Sequence, residues 1–475
     1  MKRFFPWLAT PVVLAASVFS LTASVDRPDV LFIAIDDLND WIQLLDEDAP
    51  IRTPNLQRLA ERGVLFTKAY TASPACNPSR VAVLTGLRPS TTGVYGNKTD
   101  WRRALPNVTT LPQHFRRHGY RVEGAGKIFH HHYGGAFHDR ASFDQFQLLP
   151  DPPDAPMPKA KLNRLPWYGS PNTDWGAWPG GGETHVDVRT VDYCIDRLNT
   201  RREKPLFLAC GIFRPHMPFF APEKWFEVYP DEDLVLPTLK ENDSNDIPSG
   251  GQRLLRQKAW FWAGMTRAEK ETPGAWRAAV RAYQACASFA DAQVGRLLDA
   301  LDRRGLSDRT MIVLWSDHGY HLGEKTHWEK FALWEKATRV PFIIVAPGVA
   351  AAGAKCDQPV DLTAIFPTLI ELCGLTPKPE LDGLSLVPLL KHPDLPGERP
   401  ALMTYQRDNH AVRTSRWRYI RYADGSEELY DHSADPHEWV NLAEDAMLWE
   451  VKKRLRQWLP RNSAPAGPDL KRPRR

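Results

Sequence analysis

Four short runs along the chain are apolar without alternation: Val30 to Ile35, Pro205 to Cys210, Thr310 to Trp315 and Val340 to Ala346. A strand that alternates apolar and polar positions buries one face. An unbroken apolar run of this length buries both, as strands of a parallel sheet do. Between the runs the period becomes that of helices. Asn55 to Arg62 stops at Gly63. Val280, Tyr283, Cys286, Ala290, Val294, Leu297 and Leu301 recur at spacings of three and four before Arg303, Arg304 and Gly305 end the pattern. Strand and helix patterns in alternation predict an α/β sandwich around a large, mostly parallel sheet.

Two stretches break the pattern. Asp151 to Gly182 is rich in Pro, Gly and Trp, has no period, and is too long for a plain connector, so it is expected to be a functional loop or lid. Lys240 to Gly251 is a second polar insertion. After Pro396 the runs shorten. Ala411 to Thr414, Trp417 to Tyr422 and Glu428 to Tyr430 predict antiparallel strands with a hairpin turn at Asp424-Gly425, and Asp445 to Trp458 predicts a terminal helix. The expected organisation is a leader over 1–24, a main α/β unit over 25–395 and a small α+β subdomain over 396–475.

The leader rests on Met1-Lys2-Arg3, an apolar stretch from Val12 to Leu21, and small residues Thr22, Ala23 and Ser24. That order resembles a secretory signal peptide, with cleavage expected near Ala23. The apolar run is too short for a stable membrane anchor, so the location expected is periplasmic or secreted. A formal net charge of +4 over 475 residues lacks the basic stripe of a nucleic-acid binder. Six cysteines show no zinc spacing, and export permits disulfides without specifying them. Seventeen tryptophans are expected to serve mainly as packing, with Trp167, Trp175 and Trp178 as candidate stacking faces for sugar rings.

Polar residues gather where the apolar runs end, the place where open α/β sheets put their sites. Asp36 and Asp37 follow the first run, and Asp317-His318-Gly319 follows the third. Carboxylates converging on one sheet edge repel unless a cation lies between them, and hard oxygen donors favour Ca²⁺ or Mg²⁺ over Zn²⁺. Lys127-Ile128-Phe129-His130 follows a further expected strand, Arg121 to Ala125. His216 stands between Pro215 and Met217-Pro218, where it is suited to proton transfer, and Lys330 closes a polar stretch that begins at Gly323.

Cys76-Asn77-Pro78-Ser79-Arg80, followed by Leu84-Thr85-Gly86, resembles the signature of the formylglycine-dependent (type I) sulfatases. The resemblance runs from about Pro28 to Asn441 and is nearest to the iduronate-2-sulfatase-like and choline-sulfatase-like bacterial branch. It implies an alkaline-phosphatase-like fold and a sulfate-ester hydrolase. A dedicated maturation enzyme would oxidise Cys76 to formylglycine before folding. One Ca²⁺ would be held by Asp36, Asp37, Asp317, His318 and the side chain at 76. Many sulfatases carry Asn at the position of His318; this branch carries His. The resemblance also implies that Arg80, Lys127 and Lys330 cage the sulfuryl group, that His130 contacts the formylglycine hydroxyl, and that His216 serves the leaving group. Asn409, His410 and Arg413 are candidate substrate contacts.

The expected substrate is a sulfated small molecule or oligosaccharide, with a sulfated carbohydrate favoured by compartment and aromatic content. The alternative is a phosphomonoester, phosphodiester or phosphonate ester hydrolase of the same fold. Ordinary phosphatases of that fold use Ser or Thr and two zinc ions, for which this chain offers no good second ligand set. A decayed, non-catalytic binding protein is opposed by the completeness of the constellation.

Overall fold

In this computed structural model the described residues are Met1, 27–130, 137–150, 157–397 and 399–470. The expected leader, the start of the Trp-rich stretch and the basic C-terminal end lie outside them.

The apolar runs form the centre of an eight-stranded sheet. Its strands are β1 (Asp29–Asp36), β2 (Val64–Phe66), β3 (Arg121–Gly126), β4 (Gln145–Gln147), β5 (Leu206–Pro215), β6 (Thr310–Ser316), β7 (Phe342–Val345) and β8 (Ala354–Cys356), in the order β8-β2-β7-β6-β1-β5-β3-β4. β1 pairs in parallel with both β5 and β6, and β3 in parallel with β5 and β4. The unbroken apolar character reflects burial on both faces. Leu31, Ile33 and Ile35 enter one core layer while Val30, Phe32 and Ala34 enter the other.

The run at Val340 to Ala346 departs from expectation. Its strand β7 is antiparallel to both β6 and β2. Two-sided burial selects apolar residues whichever way a central strand runs, so composition carries no sign of direction. The chain between β6 and β7, 317–341, holds two short strands and a four-residue helix but no long crossover helix, as an antiparallel return allows.

The helices that use this layout are α1 (Pro54–Ala60), α2 (Cys76–Thr85), α3 (Val186–Asn199), α4 (Ser249–Glu271) and α5 (Ala275–Arg303). α1, α3 and α5 cover one face with α4 outside them, and α2 covers the other. α4 starts at the end of the polar insertion and continues well beyond it, a helix that the sequence pattern does not predict. The C-terminal region forms a four-stranded antiparallel sheet, β9 (Ala401–Thr404), β10 (His410–Arg413), β11 (Trp417–Arg421) and β12 (Glu427–Asp431), with α6 (Trp449–Arg456) after it. The hairpin turn is where Asp424-Gly425 places it, with Gly425 at φ +87°.

Burial corrects the expectation for the tryptophans. Trp175 and Trp178 are buried, Trp175 on a short strand paired with 219–221 and Trp178 donating to Thr184 Oγ1 at 3.0 Å. Trp167 lies half-buried under the Arg267 guanidinium, 4.0 Å away. The described part of the stretch is packed cover over α4 and α5. All six cysteines are buried and none is in a disulfide. Among the described residues no helix is long and apolar enough to cross a membrane.

Candidate active site

Because β1, β3, β5 and β6 are parallel, their C-terminal ends share one edge. Asp36 and Asp37 leave β1, Lys127 leaves β3, His216 leaves β5 and Asp317 and His318 leave β6 at that edge. A close approach of β3 and β5 makes this possible: a Cβ on Gly211 would lie 2.4 Å from the Lys127 backbone. Cys76 is the first residue of α2, so the helix N-terminus, where unpaired N–H groups concentrate positive potential, points into the same space.

The edge is fixed by hydrogen bonds that the sequence does not announce. Asp37 has φ +63°, a conformation that Asp tolerates better than most residues. Its N–H donates to Asp317 Oδ1 at 3.1 Å, and its carbonyl accepts from Tyr283 on α5 at 2.7 Å. Ser79 donates to the Asp317 carbonyl at 2.6 Å, which ties α2 to the end of β6.

Ligand atoms of Asp36, Cys76, Asp317 and His318 all lie within 4.8 Å of one another, as do those of Asp37, Cys76 and His216. Three carboxylates and three cations share this buried volume. Lys330 Nζ donates to both Asp37 oxygens at 2.9 Å. Lys127 Nζ pairs with Asp36 and lies 3.8 Å from Cys76 Sγ. Arg80 Nε reaches Asp317 at 2.8 Å and Nη2 reaches Asp36 at 3.1 Å, while Nη1 donates to the carbonyls of Lys127 and Ile128. Most of the guanidinium N–H groups are thus committed to protein. Arg80 holds two acids and the Lys127 backbone, which differs from the direct cage expected of it.

The charges are uneven. Burial alone would raise Asp36, but Lys127 and Arg80 hold it well below the usual carboxylate range. Burial pushes Asp37 up to about 6, with Lys330 offsetting only part of that. Burial pushes the Cys76 thiol up to about 12, so the unmodified side chain is a poor nucleophile. Burial, then Lys127 and Lys330, pushes His216 well below its usual value. Its Nδ1 donates to the Met217 carbonyl at 2.5 Å, leaving Nε2 with a lone pair. His318 Nδ1 likewise faces the Gly319 carbonyl at 3.1 Å, which turns the Nε2 lone pair toward Cys76 Sγ at 3.2 Å.

The donor set fits a hard divalent cation. The acids are buried, Asp37 is destabilised as an anion, and a histidine lone pair and the position 76 side chain converge on them. With three carboxylates already balanced by three cations, such an ion adds positive charge that an anionic ester would neutralise.

The other expected residues fall differently. His130 is half-buried at the end of its described stretch. Asn409 is buried and donates to the carbonyls of Tyr405 and Arg407, and His410 Nδ1 lies 2.9 Å from Thr404 Oγ1. Arg413 pairs with Glu335 at 3.2 Å. These three build the C-terminal sheet and its contact with the main unit, which corrects their expected place against substrate: loop-flanking polar residues were needed for buried hydrogen bonds.

Comparison with known proteins agrees with this geometry. The sulfatase family model matches residues 28–375, and a model described as N-sulphoglucosamine sulphohydrolase, C-terminal, matches 323–464. A sulfatase from Formosa agariphila is 40% identical over 458 residues, 93% of this chain and 88% of that protein. Human iduronate 2-sulfatase is 29% identical over 86% of this chain and 84% of its own length. The crystal structure of phosphonate monoester hydrolase of Agrobacterium radiobacter superposes with a TM-score of 0.73 at 23% identity, covering 91% of this chain and 94% of that one, and so shares the alkaline-phosphatase-like fold. The chain belongs to the sulfatase family and is a sulfuric ester hydrolase.

Proposed function

We propose that the protein hydrolyses a sulfate monoester on a sulfated carbohydrate, using formylglycine formed from Cys76 and one bound Ca²⁺. The observation that carries this is Cys76 at the first turn of α2, set among Asp36, Asp317, His318 and Lys127. Carbohydrate is favoured by expected export and by similarity to a relative named for a sugar acid. Asp36, Asp37, Asp317, His318 and the side chain at 76 would hold the metal, which supplies Lewis-acid stabilisation of negative oxygen. Formylglycine, as its hydrate, supplies a hydroxyl nucleophile and a second hydroxyl that lets the covalent ester collapse.

The chain's own groups do the rest. Lys127 and Lys330 present ammonium groups to the sulfuryl oxygens, preorganised in a site that excludes water. Arg80 positions the acids. His216 Nε2 faces the leaving-group side; its protonation is opposed by Lys127 and Lys330 until an anionic ester arrives, and it then can donate to the departing oxygen. His130 would contact the formylglycine hydroxyl, as the family resemblance implies. The 25–395 unit carries the nucleophile and the 396–475 unit braces it. A leader over 1–24 would deliver the enzyme to the periplasm or medium.

The test is expression with a formylglycine-generating enzyme. The Cys76 peptide should then be lighter than its thiol form by about 18 Da, the difference between CH₂SH and CHO. The protein should cleave an aryl sulfate, and Cys76→Ala should abolish turnover. A higher kcat/KM for a phosphonate or phosphodiester than for every sulfate tried would transfer the assignment to the alternative reaction of this fold.

A further inference from the structure

Lys330 belongs to a strained segment whose neighbours face away from the metal acids. Glu329 has φ +93° and Phe331 φ +71°; such backbone costs an L residue about 1–3 kcal/mol and persists where surrounding contacts enforce it. Here the Phe331 N–H donates to the Pro74 carbonyl at 3.1 Å, just before the nucleophile. The strain lets Lys330 turn inward to Asp37 while the next ring turns outward to α4. Lys258 of α4 stands over that ring, its Nζ 4.1 Å from the centroid, with Lys330 Nζ 5.7 Å from the same centroid. The flat aromatic face fixes the ammonium without neutralising it.

Lys258 is half-buried, and among the described residues it has no carboxylate within ion-pair distance and no hydrogen-bond acceptor. A second cation stands nearby. Lys98 lies on a loop fastened to the residue after the nucleophile: the Asn77 side chain donates to the carbonyls of Gly96 and Thr99 at 3.0 and 2.9 Å, and the Asn77 backbone N–H donates to Asn97 Oδ1 at 3.0 Å. Burial, then Lys330 and Lys98, pushes the Lys258 ammonium below the usual lysine range, with Glu329 opposing. Glu329 is itself raised by burial and lies among Lys330, Lys258 and His318, so it is shared among several cations. A desolvated cation without a partner is costly, and this one shares the Phe331 ring with Lys330 while lying outside the set proposed to hold the sulfuryl group and the metal.

We propose that Lys258, aided by Lys98, is a specificity subsite for a second anionic group of the substrate, a carboxylate or a further sulfate on the sugar that carries the scissile ester. The subsite rests on the sulfate-ester function proposed above. It makes the enzyme selective for doubly anionic sugar sulfates over neutral ones.

The experiment compares the matured wild type with Lys258→Met and Lys258→Arg on a neutral hexose sulfate, a hexuronate sulfate and a hexose disulfate. Wild type should favour one of the two doubly anionic sugars, and which one identifies the group. Lys258→Met should reduce that preference, as a ratio of kcat/KM values, by about 10- to 100-fold, the loss of one charge-assisted contact. The loss should fall mainly in KM, and Lys258→Arg should retain most of the preference. Binding of the same sugars to the Cys76→Ala protein by calorimetry, with and without Lys258→Met, should show the same factor without any turnover. No preference in wild type, or an equal loss on neutral and anionic sugars, would overturn the subsite. Failure to cleave any sulfate with anion-selective binding intact would overturn the proposed function instead.

Discussion

Arg418 is the group whose removal should expose how the two units of the chain depend on one another. It is fully buried on β11. Its Nη1 donates to the Leu333 carbonyl at 2.7 Å, Nη2 pairs with Glu335, and Nε lies 2.5 Å from Glu438. Burial alone would raise both carboxyls. Arg413, His432 and Arg418 hold Glu335 well below its usual range, and Arg418 leads the groups that hold Glu438 down. Arg418→Met keeps the volume and strands two buried carboxylates and a carbonyl. Breaking one side of a buried ion pair costs about 3–5 kcal/mol, which at an m of about 6 kcal/mol/M lowers the guanidinium midpoint by roughly 0.5–0.8 M. Depressed acids contribute stability above their unfolded pKa and lose it as pH falls through the folded one. The gap between wild type and variant should therefore be widest near neutrality, begin to narrow at about pH 4 and close only as pH falls through the depressed folded values. Glu438→Gln added to Arg418→Met should recover part of the loss, since it removes a stranded charge. Aryl sulfate turnover should fall as well, because Leu333 and Glu335 belong to the segment that carries Lys330. A midpoint change under about 0.2 M at pH 7, or one that does not vary with pH, would refute the reasoning.

Four further outcomes are expected of the site and its surroundings. Lys127→Ala and Lys330→Ala should each lower kcat by roughly 10²-fold, as the loss of a transition-state donor does. Arg80→Ala should lose as much, but with a raised Ca²⁺ requirement in a metal titration, and Arg80→Lys should not restore it because one ammonium cannot span Asp36 and Asp317. Asp37 sits at about 6 in the metal-free protein against an ordinary 3.8, so the folded state keeps a proton there that the unfolded chain releases. Its contribution, about 3 kcal/mol, is full at acid pH and lost as pH rises through 6; Ca²⁺ should consequently raise the unfolding midpoint more at pH 7 than at pH 5, and chelation at pH 7 should abolish activity while the circular dichroism of the fold persists. Trp178→Ala should destabilise by about 3–5 kcal/mol and lower sugar sulfate and aryl sulfate kcat/KM by the same factor; a selective loss on the sugar would return this ring to the substrate.

Much of the sheet was legible because two-sided burial leaves a plain trace: Val30 to Ile35 and Thr310 to Trp315 could be little else, and acids directly after them mark the C-terminal edge. The sense of β7 was not legible, since an apolar run reads the same in either direction. α4 was hidden by Ser249-Gly250-Gly251 at its start and by exposed Trp260 within it, features that suit a surface loop. The candidate nucleophile came from a string, Cys76-Asn77-Pro78-Ser79-Arg80, that resembles a family signature, and the acids from their place directly after the apolar runs. Tyr283, which holds the Asp37 backbone, and Lys258, which stands over Phe331, lie on helices whose local pattern gives a tyrosine or a lysine no distinguishing mark. Their roles arise from contacts made far along the chain. The tryptophans failed as a guide for a related reason: composition counts aromatic faces without saying which are covered.

The buried Glu335–Arg418–Glu438 cluster also sets a clock on biosynthesis. Position 76 emerges early, and the segment bearing Lys330 is braced only after β11 and the turn at Glu438 have been made, near the end of the chain. At roughly 5–20 residues per second, the ribosome spends on the order of tens of seconds between the two events. Until then the segment that carries Lys330 lacks its outer support, and on the proposed function a modifying enzyme would have this interval in which to reach Cys76. In the folded protein the Cys76 side chain is buried. If Cys76 is converted as proposed, the fraction of active molecules would be decided by competition between a modifying enzyme and the arrival of the C-terminal sheet.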